Sequence, residues 1–189
     1  MSIAENPYAP PQADLTVAAA RPAAFFVVAQ RKLLVMMLLS YGFYGFYWLY
    51  KHWDAYRSAT GTRVLPVVRA CFSIFFAYSL VLKIKRALDL KDASYRWWPH
   101  YFALGWIGCA LLPFTYIWFV SPLTAVKVGV CLTIVQVALM AQIQRAVNHL
   151  EDDPQGTANS RFTWANVIWM VIGVSLWALG IASVFLAPY

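Results

Sequence analysis

Thr133, Gln136, Gln144 and Asn148 are polar residues of a long, mainly apolar stretch, and chemistry is sought there first. In a helix they share one face with Met140. An amide or hydroxyl in hydrocarbon costs free energy unless it is satisfied, so such a face turns inward. Two chemistries fit it. One is hydrogen bonding between helices, each bond contributing about 1 kcal/mol. The other is the wall of a polar path for a small solute. The first asks for less and is favoured. No Asp or Glu lies inside any apolar stretch, which argues against a proton-driven carrier.

Other reactive residues are scattered. His52, His100 and His149 stand far apart, each near the end of an apolar stretch. No spacing matches a zinc or haem site. Glu151, Asp152 and Asp153 run into Pro154 as an exposed turn. Cys71, Cys109 and Cys131 lie in apolar stretches and are expected to be small buried hydrophobes. No nucleophile elbow, phosphate loop or acid–base pair is visible. The chain is therefore not expected to be an enzyme, and no cofactor or metal is expected. An enzyme acting on lipid would need His100 or His149 beside a Ser or Asp.

The elements that hold these residues are apolar and long. The chain has 189 residues, is 61% hydrophobic and 12% charged, and cannot hide that much apolar surface in a soluble fold of its size. The expected class is all-α: an integral membrane bundle of five transmembrane helices over about 33–50, 67–84, 101–120, 123–143 and 165–187. A short interfacial helix is expected after the first, ended by Gly61, with Pro66 starting the next. Ser121-Pro122 predicts a tight hairpin between the third and fourth spans. Thr163 or Asn159 is expected to cap the last helix.

Residues 1–24, with Pro7, Pro10 and Pro11 around Tyr8, predict a disordered Pro/Ala-rich cytoplasmic tail. The tail is also a candidate docking peptide for a membrane or cytoplasmic protein. Residues 25–189 form the transmembrane domain, with Phe25-Phe26-Val27-Val28 as an interfacial lead-in. No cleavable signal peptide is expected. Trp97-Trp98-Pro99-His100 is an interface anchor. Two further clusters stand out. Tyr44, Tyr47, Trp48, Tyr50 and Trp53 suit a membrane-interface belt or a partner surface. Asn166, Trp169, Gly173, Trp177 and Gly180 share a face whose glycines make a groove, for helix packing or for a lipid.

The run Gly42-Phe-Tyr44-Gly-Phe-Tyr47-Trp48-Leu-Tyr50-Lys51-His-Trp53 resembles a Gly-x-Tyr-x-x-Tyr-Trp-x-Tyr-Lys-x-Trp signature. That signature is found in a group of uncharacterised multi-pass bacterial membrane proteins. Pro66-x-x-Arg69-Ala70, Asn159-x-Arg161-Phe162-Thr163 and Gly173 are similar to later positions of the group. The resemblance implies an integral bacterial membrane protein and brings no substrate, cofactor or catalytic residue.

The net charge is +7. Its Lys and Arg flank apolar stretches, so they are expected to meet lipid headgroups; no nucleic acid is expected. With the amino terminus inside, inner segments hold ten Lys and Arg against five outside. The positive-inside rule then puts the amino terminus in the cytoplasm and the carboxyl terminus outside. The expected role is a non-enzymatic inner-membrane component that packs with partner proteins or lipids. The alternative is a small oligomeric carrier or channel using the polar face of the fourth span.

Overall fold

A computed structural model describes residues 23–92 and 94–186. Most of the proline-rich tail, and with it the docking-peptide expectation, lies outside the described residues. Within them the regular structure is all helical, with no strand. The helices are α1 (Gln30–Leu39), α2 (Phe43–Thr60), α3 (Pro66–Cys71), α4 (Ser73–Lys91), α5 (Pro99–Tyr116), α6 (Pro122–Leu150) and α7 (Trp164–Leu186). A 3-10 turn, Thr157–Asn159, links α6 to α7.

The expected first span is two helices. Tyr41 and Gly42 take positive φ values of 55° and 83°, which reverses the chain between α1 and α2. Ser40 stabilises the break. Its Oγ accepts the Tyr44 N–H at 2.9 Å, satisfying a donor that α2 would leave unpaired. The aromatic signature and the expected interfacial helix are consequently one element, α2. Gly61 ends it and Pro66 opens α3, as the turn chemistry predicts. The second span is also divided, at Phe72, into α3 and α4.

The remaining boundaries follow the sequence more closely. Ser121 caps α6 by accepting the Thr124 N–H at 3.3 Å. Thr163 and Asn166 cap α7 reciprocally: the Thr163 N–H donates to Asn166 Oδ1, and the Asn166 N–H to Thr163 Oγ1. α6 runs seven residues past the expected boundary at 143, so Gln144 and Asn148 are helical.

α6 is the central element and packs on α1, α4 and α5; α7 packs on α1 and α2. The core joins Leu33 and Met36 of α1, Trp48 of α2, Leu80, Ile84 and Leu88 of α4, and Ile143 and Val147 of α6. Burial is uneven along α6. All its buried residues lie from Val137 onward, and none between Pro122 and Gln136. Large apolar side chains cover the outside of the opposite half, including Phe114, Trp118 and Phe119 near the α5–α6 turn and Val171 and Leu179 on α7. Cys71 and Cys131 also face outward, contrary to expectation, and only Cys109 is buried; all three thiols are free.

Five spans were expected; among the described residues two helices are long and apolar enough to cross a membrane, α6 and Trp164–Ser183 of α7. Splitting the first two apolar stretches leaves neither with one continuous apolar helix of spanning length. α5, which carries Pro99, His100 and Pro113 along its 18 residues, is not one of the two.

Candidate functional site

Gln144 and Asn148, one turn apart on α6, are fully buried, and their amides make four side-chain hydrogen bonds. Trp48 Nε1 donates to Gln144 Oε1 at 2.6 Å. Gln144 Nε2 donates to the Phe26 carbonyl at 3.0 Å and to Asn148 Oδ1 at 2.7 Å. Asn148 Nδ2 donates to the Val28 carbonyl at 3.0 Å. These bonds hold residues 25–29 as an extended strap across the C-terminal half of α6.

The strap is tied from its other edges as well. The Phe25 N–H donates to Glu151 Oε1 at 2.9 Å, and the Phe26 N–H to His52 Nδ1 at 3.3 Å. Asn159 Nδ2 donates to the Val27 carbonyl, and the Ala29 N–H to the Asn159 carbonyl, both at 3.3 Å. Lys32 Nζ reaches Asn159 Oδ1 and the Arg161 carbonyl, each at 2.6 Å. Phe25 and Val28 are core residues, so the expected interfacial lead-in is instead an internal strap. Its four apolar residues in a row were the available signal. Their partners, 26 positions away at His52 and 118–132 away at Gln144, Asn148, Glu151 and Asn159, were not readable from one sequence.

His52 is enclosed by Trp48, Phe25 and Phe26, with ring centroids 4.2–6.3 Å away. Burial pushes its pKa down to about 3, so the ring is neutral at ordinary pH. Its Nδ1 accepts from the strap, which assigns the proton to Nε2, and Nε2 has no hydrogen-bond partner among the described residues. Burial also lowers Lys32 and raises Glu151 from their ordinary values. The knot has the chemistry of a fastener. Its amides bond to each other, to Trp48 and to the strap carbonyls.

The polar face of α6 therefore divides. Gln144 and Asn148 join the knot, while Thr133 bonds back to the Gly129 carbonyl at 2.9 Å. Thr133 and Gln136 line a mostly apolar cavity of about 280 Å³ with Gly42, Gly45, Ser73 and Trp106. The aromatic cluster divides too. Trp48 and Trp53 are fully buried and Tyr44 nearly so, whereas Tyr47 is exposed and Tyr50 half-buried. Arg69 lies 4.2 Å from the Trp53 ring centroid.

On α7, Gly173 meets the backbone of Leu39 and Ser40 directly. Trp177 Nε1 donates to the Leu38 carbonyl at 3.0 Å and its ring meets Tyr41 edge-on at 4.9 Å. Trp169 packs on Phe43 at 5.7 Å. Asn166 and Trp169 also border a second cavity, of about 410 Å³, with Tyr44, Tyr47 and Thr163. Gly180 faces open space. The groove is thus occupied by the end of α1 at Gly173 and is free at Gly180.

His149 Nε2 lies 3.0 Å from Asp92 Oδ2, so the juxtaposition a lipid-directed enzyme would need is present for one histidine. The remaining geometry does not make a triad. Ser94 Oγ donates to Asp92 Oδ1 at 2.6 Å, on the carboxylate rather than on the imidazole. Tyr95 stacks on His149 at 4.6 Å. His100 Nδ1 is 2.8 Å from the Tyr78 hydroxyl. Among the described residues no cluster of His, Cys, Asp or Glu fits a metal ion.

The Asp92 contacts latch the α4–α5 loop to the end of α6. Hydrogen bonds from Ser94 and His149 hold its carboxyl below the ordinary value. A depressed carboxyl stabilises above its unfolded pKa of about 4 and loses that contribution as pH falls through the lowered value. Amide exchange at residues 94–98 is expected to be slow from neutral pH down to about 4, after correction for its intrinsic pH dependence, and to rise below that. A flat corrected profile would rule the latch out. Comparison of the chain with protein-family models, curated proteins and solved structures finds no match in any of the three.

Proposed function

We propose that this chain is a non-enzymatic, multi-pass component of the bacterial cytoplasmic membrane that packs with lipids or membrane partners. Its amino terminus is in the cytoplasm and its carboxyl terminus outside. The supporting observation is a segregation of charge. The strap, the α2–α3 loop, the end of α4 and the end of α6 gather at one end of the molecule, tied by Phe25–Glu151, Lys91–Asp152 and Asp92–His149. Every described Lys and Arg except Lys127 lies on elements at that end. The other half carries exposed Phe114, Trp118, Phe119 and Leu179. Water would not tolerate so large an apolar surface, and a bilayer would.

A carrier reading needs a continuous polar path along α6. Gln144 bonded across to Trp48 and the strap closes such a path at the charged end. Membranes containing the full chain, washed with alkaline carbonate, are expected to retain it in the pellet. Crosslinking from the same membranes then tests for partners, with a chain lacking residues 1–24 as comparison. Release by carbonate would end the membrane reading. A partner lost on truncation would assign docking to the tail.

A further inference from the structure

We infer that α1–α2 and α3–α4 are re-entrant hairpins that dip into the cytoplasmic leaflet and return, so that only α5, α6 and α7 cross the bilayer. The inference rests on the membrane reading above and changes its topology from five crossings to three.

Length is the first observation. The arms that leave the turns are short: Phe43 to Tyr50 on α2 and Ser73 to Leu82 on α4 are about 12–15 Å at 1.5 Å per residue. That is half of a hydrocarbon core about 30 Å thick. On α3, Arg69 stands three residues before the turn and reaches back to the Trp53 ring. The uncharged run of α6 between Lys127 and Arg145 is about 27 Å, a full crossing. α5 must cross with it, because α5 packs along α6 and only residues 117–121 join them.

Depth is the second. Both turns reach the same stretch of α6, Thr133 to Met140. Gly42, Gly45 and Ser73 border the same cavity as Thr133 and Gln136, partway along α6. From Gln136, Arg145 is about 14 Å away and Lys127 about 14 Å in the other direction. The turns therefore sit near the midplane.

Chemistry is the third. The turns are apolar on the outside: Leu39, Tyr41, Phe43 and Phe46 on one, Phe72 and Phe75 on the other, with Phe75 75% exposed. Hydrocarbon demands that a broken helix satisfy its backbone internally. The Ser40 N–H reaches the Met36 carbonyl, the Phe43 N–H the Ser40 carbonyl and the Tyr44 N–H Ser40 Oγ. The Leu38 carbonyl, left over at the end of α1, accepts from Trp177.

The α2–α3 loop consequently returns to the cytoplasm with Lys51, Arg57 and Arg63 around it, and Arg69, on the descending α3, extends its guanidinium back toward that side against the Trp53 ring. A five-span topology would strand these four outside; three crossings leave Lys127 as the one described Lys or Arg on the outer side. Acyl chains of the outer leaflet fill the space beneath the turns, between α7 and the α5–α6 hairpin.

The test places one cysteine at a time in the full chain with Cys71, Cys109 and Cys131 changed to Ala. A membrane-impermeant maleimide is applied to spheroplasts and to inverted vesicles. Ser94→Cys is cytoplasmic and Ser121→Cys external in both topologies, so they are the controls. Arg63→Cys is expected to label only in inverted vesicles, with Ser94→Cys. Labelling of Arg63→Cys in spheroplasts, with Ser121→Cys, would overturn the inference. Arg57→Cys on the exposed face of α2 repeats the test should Arg63→Cys express poorly. Labelling of both controls from the same side would instead overturn the membrane reading.

Discussion

Replacing Gln144 with leucine is expected to free residues 25–29 from the fold and to destabilise the protein by about 3 kcal/mol. A buried donor or acceptor left unpaired costs about 1–3 kcal/mol, more than the net value of the bond it made. Gln144→Leu strands Trp48 Nε1 and the Phe26 carbonyl and deprives Asn148 Oδ1 of its donor. Gln136→Leu is the matched control, since no hydrogen bond among the described residues holds the Gln136 side chain, which borders an apolar cavity. It is expected to change stability by less than about 0.5 kcal/mol. Thermal unfolding in mild detergent measures the difference, and protease sensitivity near residues 24–30 reports the strap. Adding Trp48→Phe to Gln144→Leu removes one stranded donor, so the double variant should lose less than the sum of the singles. Equal melting temperatures for the Gln144 and Gln136 variants would show that the knot does not hold the fold.

The contrast between those two glutamines measures what the sequence could carry. Period and composition place Thr133, Gln136, Gln144 and Asn148 on one helical face, and they do lie on α6. What divides them is the strap, and its residues are far away in the chain. Turn chemistry was legible wherever it is local. Gly61, Pro66, Ser121 and Thr163 each act where their type predicts. The break at Tyr41-Gly42 was less so, because a glycine in an apolar run can equally be a packing notch. The choice depends on Ser40 capping α2 and on α7 accepting the exposed end of α1. The same long-range contact turns an uncharged run of spanning length, Leu33–Tyr50, into a hairpin. Hydropathy counts residues and is blind to a reversal of direction.

Gly173 is the position where that contact is most exposed to test. A Cβ there would lie within 3.0 Å of the Leu39 carbonyl oxygen and of Ser40 backbone atoms. Backbone at a tight turn cannot swing aside as a side-chain end would, so α7 must move or the turn must open. Overpacking of this kind costs about 1–3 kcal/mol, and Gly173→Ala is expected to lose about 2 kcal/mol. Gly173→Leu should separate α7 from α1, breaking the Trp177–Leu38 hydrogen bond and the Trp177–Tyr41 contact. Gly180→Ala, two turns on, meets open space. It should be neutral, or stabilising by up to about 1 kcal/mol from helix propensity. Thermal unfolding ranks the three variants, and a crosslink between Leu39→Cys and Val174→Cys follows the separation directly. Should Gly173→Ala and Gly180→Ala behave alike, α7 would not be seated on the α1–α2 turn. The Leu38 carbonyl would then lack its partner, and a hairpin ending at the midplane would expose an unsatisfied backbone group to hydrocarbon, at several kcal/mol. The seat of α7 and the depth of the α1–α2 hairpin thus stand or fall together.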